Sequence, residues 1–509
     1  MDRAVQRGAR LMSSTPDPRD LGVDPRIARH AVQHGFTRRE AIARDAMLGD
    51  LQRESFGYFV HEVNEANGLV LDKTAPQWPA SVAAIGMALT CYPVGVQRGL
   101  MTRDKALQRS LVTLRFLLAG EQGESPTATG HRGFFYHFLD MATGRRAWQC
   151  ELSTIDTALL MAGVLAAAAY FREPADDEVE LRRLATALYE RVEWDWMLGE
   201  RGTICHGWKP ETGMLPWHWE GYDEALVLYL LALGSPTHPV PASSYDAWCS
   251  TYAWQEAEGI AYLHAGPLFI HQMSQLWIDF RGLQDEFMRA HGSDYFANSR
   301  AAVQVQQRYA IRNPRRHAMY GEFCWGVTAS DGPGTQHWHG PGEPPFFDYV
   351  ARGVPDGPDD GTLAPWAVVA SLPFAPDIVL PTIANYRHIQ LHVANPYGFK
   401  ASFNPSYPAD RKHAVGWVSP FHFGINEGPT VVMIENHRTG MPWKLMHCCA
   451  PLVAGLRRAG FSGGWLDAIP HAADAAPAAP LPAPEPYDPP TPPGETALSQ
   501  GPAGANKAS

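Results

Sequence analysis

Two short acidic segments hold the side chains of this 509-residue chain that could do chemistry. The first is Glu151-Leu-Ser-Thr-Ile-Asp156, and the second is Trp217-His-Trp-Glu-Gly-Tyr-Asp-Glu224. Each places carboxylates at the entry to an apolar run. Cleaving a glycosidic bond takes one carboxylic acid to protonate the leaving oxygen, and a second carboxylate to supply or activate the nucleophile. Trp and Tyr faces suit the C–H faces of sugar rings, while carboxylates bind hydroxyls. The pattern points to carbohydrate chemistry.

Each candidate has a plainer reading beside the chemical one. Glu220 stands just before an apolar helix, where the helix dipole favours a negative charge. It is either a base with a low pKa or only a helix cap. Glu151 precedes Ser153, which can cap the helix itself, leaving Glu151 either facing a cavity or solvated in a loop. Asp156, in the first helical turn, either points into that cavity or only complements the dipole. Asp223 and Glu224 share a face with Glu220 if that residue is already helical, and one of them then binds substrate. Trp217, Trp219 and Tyr222 flank Glu220 and are expected to line the pocket. Glu322 and Glu435 interrupt apolar runs, as pocket groups or buried paired carboxylates, and Glu322 is read as the pocket group.

Composition excludes other classes. The formal charge is −11 with no dense Lys/Arg run, unlike a nucleic-acid binder. Seven scattered cysteines without CxxC pairing fit neither a disulfide framework nor a zinc site. There is no HExxH, P-loop or GxSxG motif. Asp356-Gly-Pro-Asp-Asp-Gly361 has calcium-loop composition without the ligand spacing and reads as a turn. The 21 histidines, among them His206, His218, His264, His271 and His422, read as structural. No metal or cofactor is expected. No stretch is long and apolar enough to span a membrane and the N-terminus lacks a signal-like apolar core. A cytoplasmic location follows, or a periplasmic one if an export signal is missing. Oligomeric state is not readable.

The elements that must position these residues are helices. Apolar periodicity predicts them over 41–64, 79–90, 103–119, 153–171, 177–194, 222–233, 267–280, 294–311 and 381–393, with Ser153, Asp177 and Asp294 as N-caps. Some are apolar all round, as in Leu159 to Ala169. Others are amphipathic, as in Glu178 to Arg191. The first kind must be buried and the second faces water, which suggests an inner ring wrapped by an outer one. Short strands are possible at Phe134–Phe138 and Trp417–Ser419. The long Gly/Pro loop from Gly332 to Pro365 has the length of a functional loop. Residues 1–35 read as irregular, 36–470 as one domain, and 471–509 as a Pro/Ala-rich disordered tail.

Six stretches resemble the glycoamylase-like proteins, in particular glycoside hydrolase family 144, the endo-β-1,2-glucanases, and the related domain of cyclic β-1,2-glucan synthases. They begin at Phe134, Glu151, Trp219, Leu231, Trp277 and Tyr320, the last running through Ala329-Ser-Asp-Gly-Pro333, and the similarity extends over roughly Phe36 to Leu445. The resemblance implies an all-α (α/α)6 barrel with long active-site loops. It implies hydrolysis of β-1,2-glucan or its oligosaccharides, with inversion and direct attack by water. Glu151 and Glu220 match glutamates that the family places in the pocket and are the expected catalytic pair. Asp331, otherwise an ordinary Asp-Gly turn residue, becomes a sugar ligand. The alternatives are an exo-acting enzyme releasing sophorose or glucose, a transglycosylase, or a glucan-binding protein without turnover.

Overall fold

The computed structural model describes residues 38–334, 346–408 and 415–470, with side chains from residue 43 onward. The described residues from 42 onward group as one compact unit. The expected irregular N-terminal segment and Pro/Ala-rich tail lie outside the described residues.

Helices dominate. The Val82–Gln97 helix is apolar almost throughout and buried from Val82 to Gly95, with the Ser81 hydroxyl accepting from the Ala84 amide at its N-cap. Thr154–Tyr170 is capped by Ser153 in the same way and is buried along nearly its whole length. All nine residues of Leu226–Gly234 are buried. Complete burial of a Leu side chain contributes about 1.5–3 kcal/mol, and this helix buries five of them. Val82–Gln97 packs against Thr154–Tyr170 on one side and Gly424–Arg438 on the other. Thr154–Tyr170 then meets Leu226–Gly234, and the circuit closes through Met273–Leu276 back to Gly424–Arg438.

One crossing in this circuit depends on glycine. A Cβ on Gly163 would stand 2.1 Å from the Gly86 carbonyl oxygen, and one on Gly86 would stand 2.3 Å from that of Leu159. Outside the circuit lie amphipathic helices. Arg103–Ala119 and Asp176–Glu190 pack together and share a surface Arg115–Glu180 ion pair. Ala450–Arg458 covers Leu226–Gly234, and Pro376–His388 packs on Pro365–Ala370.

The all-α expectation needs correction, because several small sheets are present. The largest has five short antiparallel strands in the order 130–131, 134–136, 152–153, 207–209 and 213–214. The expected Phe134–Phe138 strand is broken at His137. Phe134–Tyr136 belongs to the five-stranded sheet, whereas Phe138–Leu139 pairs with Ala80–Ser81. The His137 amide donates to the Glu151 carbonyl, and its own carbonyl accepts from the Val82 amide. A single residue thus ties two sheets to the start of an inner helix.

Candidate active site

His137, Glu151 and Asp156 meet at the junction of these sheets with the Thr154–Tyr170 helix. Register sets the first pair: Tyr136 faces Leu152 across the sheet, so the next residue outward on one strand meets the preceding residue on the other. The His137 Nδ1 lies 2.8 Å from a Glu151 carboxylate oxygen and 3.6 Å from one of Asp156. Asp156 is buried, accepts from the Ser153 hydroxyl at 2.6 Å, and sits in the first helical turn. The helix dipole favours its charge there. Burial disfavours a cation on His137, but the Asp156 charge and the Glu151 hydrogen bond outweigh it, and its pKa rises to about 9. For Glu151 burial again opposes the charge, and the bond to His137 prevails and holds its carboxyl below the usual value.

These groups open onto a cavity of about 360 Å³ walled by His206, Lys209, Trp217 and Trp219, within the size of small-ligand sites, roughly 300–1,000 Å³. More carboxylates converge on the same region. Burial, with the Asp156 charge adding to it, raises the Glu224 pKa to about 7. Burial raises that of Asp72 to about 6 against the hydrogen bond it accepts from the Trp78 indole. Asp331 is raised by burial against the pull of Lys73, which approaches it to 3.3 Å. Tyr349 is 61% exposed. Protein atoms packed around its hydroxyl bury it locally, and this burial with the charges of Asp72, Asp331, Glu224 and Asp156 pushes its pKa upward. Four carboxylates whose charges act on one hydroxyl, three of them biased toward the neutral acid, can present both an acid and a base to one bond.

The expected residues are divided by the structure. Trp217 is 62% exposed on the cavity wall. Trp219 is on the wall too, but largely buried, stacked on His206 and donating to the Thr154 hydroxyl. Asp223 caps backbone, accepting from the Ala225 amide and the Trp248 indole, and burial with the Glu224 charge raises its pKa. Tyr222 is packed among Tyr252, His271 and Tyr295 and does not line the cavity around Glu151, because the chain turns inward at Gly221 (φ 86°).

Glu220 stands apart from this group. It is exposed, and its carboxylate accepts from Thr203 at 3.2 Å and lies 3.5 Å from Arg201. Like Glu224 it is not among the residues lining the cavity around Glu151, but Glu224 is buried and feels the Asp156 charge. The helix it was expected to open begins at Leu226, five residues later than a cap at Glu220 requires. Glu322 is exposed, on a turn where its carbonyl accepts from Gln307. Glu435 is a fully buried partner of Arg98. In the 356–361 turn, Asp359 is taken by Tyr309 and Tyr320 and Asp360 by Arg352, which leaves no open ligand set there.

Asp72, Lys73, His137, Lys209 and Tyr349 were not singled out in the sequence. His137 stands inside an aromatic strand motif, and nothing local marks it. Tyr349 lies in the long loop already marked as functional by its length.

Two expectations follow. His137 binds its proton more tightly in the folded chain than at its ordinary pKa of 6.5. Its stabilising contribution is therefore full below about 6.5 and lost as pH rises to about 9. Melting temperature should fall across that window, and the fall should shrink in His137→Gln; an unchanged slope refutes the assignment. His137, Glu151 and Asp156 also form a group whose atoms lie within 4.8 Å of one another, close enough to hold a metal ion. An imidazole held protonated by two carboxylates is a poor ligand. Activity should survive EDTA, and a loss restored by a divalent cation would mark the group as a metal site.

Comparison with known proteins gives concordant matches. Residues 216–450 match the Glycoamylase family model, described as "Putative glucoamylase". The exo β-1,2-glucooligosaccharide sophorohydrolase (non-reducing end) of Parabacteroides distasonis is 26% identical over 81% of this chain. The chain spans 58% of that curated relative's length. A crystal structure of a "putative glucoamylase" from Bacteroides uniformis superposes with a TM-score of 0.72 at 28% identity, covering 83% of this chain and 98% of that one. An endo-β-1,2-glucanase from Chitinophaga pinensis, solved with sophorotriose and glucose, shares the fold with a TM-score of 0.71 at 24% identity over 83% of this chain and 99% of that one. Among the described residues no helix is long and apolar enough to cross a membrane.

Proposed function

We propose that this chain, which carries a glycoamylase-like domain, is a glycoside hydrolase that cleaves β-1,2-glucan or its oligosaccharides. The reading extends to an (α/α)6 barrel over residues 36–470, supported by the closed circuit of apolar helices and the amphipathic helices outside it. The observation that carries the function is the contrast between two carboxyls that both neighbour Asp156. Glu224 is held near 7 by burial, whereas Glu151 is kept ionised by His137. An acid and a base with separated pKa values are what glycoside hydrolysis requires.

In this reading Glu224 donates its proton to the glycosidic oxygen as the bond to the anomeric carbon breaks. A water attacks that carbon from the opposite face and gives its proton to Glu151, with inversion of configuration. His137 orients Glu151 and Asp156. Asp72, Asp331 and Tyr349 offer hydrogen bonds to sugar hydroxyls, and Trp217 and Trp219 offer ring faces. The curated relative's name describes an exo enzyme acting on β-1,2-gluco-oligosaccharides, which favours short products over random cuts.

The test is incubation of the purified chain with β-1,2-, β-1,3-, β-1,4- and α-1,4-glucans, followed by product sizing. Cleavage confined to the β-1,2 polymer supports the proposal. Disaccharide alone from the first minutes marks exo action, and a ladder marks endo action. Binding without cleavage across the panel would replace the enzyme with a glucan-binding protein.

A further inference from the structure

Trp148 is one of two tryptophans exposed among the described residues, at 55%, and the other is Trp217 on the cavity wall. Its position is built, not incidental. Trp148 and Gln149 both adopt left-handed backbone (φ 55° and 52°), and so does Gln77 (φ 57°), next to Trp78. Side chains other than glycine adopt that region at a cost, so it persists only where the surroundings impose it.

The surroundings here are specific. Arg146, with a side chain 1% exposed, donates bidentately to Glu211 and through Nε to the Cys150 carbonyl, and it lies over the Tyr136 ring. The Ala147 amide donates to the Phe138 carbonyl. The loop is thus pinned on both sides of Trp148 while the indole itself stays open to solvent. The cost of presenting a large apolar face to water is unexplained by packing.

That face is joined to His137, on the cavity wall, by a chain of ring contacts. Trp148 meets the Trp78 ring edge-on at 4.7 Å and the Phe138 ring at 5.2 Å, and Phe138 stacks on His137 at 3.9 Å. The Trp78 indole donates to Asp72, one of the carboxylates converging on Tyr349. Aromatic rings beside a carboxylate with acceptor capacity left over suit a neutral sugar ring, whose C–H face covers indole while its hydroxyls reach the acid. A neutral ligand also avoids the electrostatic conflict an anionic polymer would meet here.

We infer that Trp148 and Trp78 form a glucan-binding subsite beyond the His137–Glu151–Asp156 group, engaging a neutral gluco-oligosaccharide unit away from the scissile bond. The inference rests on the hydrolase reading for its ligand class. Such a subsite adds affinity only for chains long enough to reach it.

The experiment measures kcat and KM against oligosaccharide length for the full chain, for Trp148→Ala and for Trp148→Gly. Binding of neutral gluco-oligosaccharides of several linkages is measured in parallel by calorimetry. Trp148→Ala should raise KM for long oligosaccharides about tenfold and leave the shortest cleaved substrate within about twofold, which is the scale of one aromatic contact. Trp148→Gly should lose the same affinity with melting temperature unchanged or raised, because glycine relieves the left-handed backbone. An unchanged dependence on length in either variant overturns the subsite, and so does failure of both variants to fold. A wild-type chain that cleaves nothing but binds oligosaccharides through Trp148 keeps the subsite and overturns the hydrolase reading. A chain that neither cleaves nor binds overturns both.

Discussion

Glu224→Gln is expected to lower kcat on β-1,2-gluco-oligosaccharides by about 10²–10⁴-fold, the usual worth of general acid assistance, with KM changed far less. Gln keeps the size of the side chain and its hydrogen bonds but cannot give up a proton to the glycosidic oxygen. Burial already holds Glu224 near 7, so the variant replaces a group that is already neutral in part and the fold should persist. The wild-type rate should fall as pH rises through about 7, where the donor is lost, and that limb should vanish in the variant. A substrate with a leaving group that needs no protonation, such as a nitrophenyl glycoside, should restore much of the lost rate. Glu220→Gln serves as the contrast. Its carboxylate is engaged by Thr203 and lies near Arg201 at the exposed rim, and its loss should cost less than tenfold. If Glu220→Gln abolished turnover while Glu224→Gln left it intact, the acid would have to be reassigned to Glu220.

Much of the helical framework was legible in the sequence because its signals are local. Arg103–Ala119 lies where apolar periodicity puts it, and Ser153 and Asp294 cap the helices expected of them. The segment from Pro267 fails for a physical reason. It forms two 3-10 turns, Leu268–His271 and Met273–Leu276, in place of one helix, and Gln272 between them gives its side-chain amide to the Ala367 carbonyl and the Ser371 hydroxyl, a tie to another segment that periodicity does not carry. Gly424–Arg438 was missed from the opposite direction. Its Gly424, Asn426, Gly428 and Pro429 argue against a helix one residue at a time, and near-complete burial overrides them. Propensity is a weak prior where tertiary packing is this dense.

The site was legible in its chemistry and not in its partners. Glu151 and Asp156 lie in the cavity as their segment suggests. Their companions come from elsewhere in the chain: His137 through strand register, Asp72 and Lys73 through backbone pairing with Phe423 and Gly424, and Tyr349 through a loop. No spacing in one sequence encodes contacts of that range. Glu220 and Glu224 show the limit most clearly. Four residues apart in one motif, they differ in environment because Gly221 turns the chain between them (φ 86°).

The second large effect concerns stability. Arg352→Met should destabilise the fold by about 3–5 kcal/mol, the usual cost of removing one partner of a buried ion pair. Arg352 is fully buried and donates to both oxygens of Asp360, at 2.8 and 2.9 Å. Its other donors reach the carbonyls of Ser330, Phe347 and Asp348. Burial opposes the Asp360 charge, and Arg352 prevails in keeping its carboxyl below the ordinary value. Methionine fills much of the space but leaves a buried carboxylate uncompensated and three carbonyls short of a donor. Arg352→Lys should rescue little, because one ammonium cannot reproduce a fork that serves four groups at once. The same guanidinium fastens the strand before Asp331 to the segment before Tyr349, the two residues proposed above to bind sugar hydroxyls. Under conditions where Arg352→Met remains folded, KM should therefore rise as well. Denaturant titration within 1 kcal/mol of wild type, with KM unchanged, would show that these two segments hold their places without Arg352.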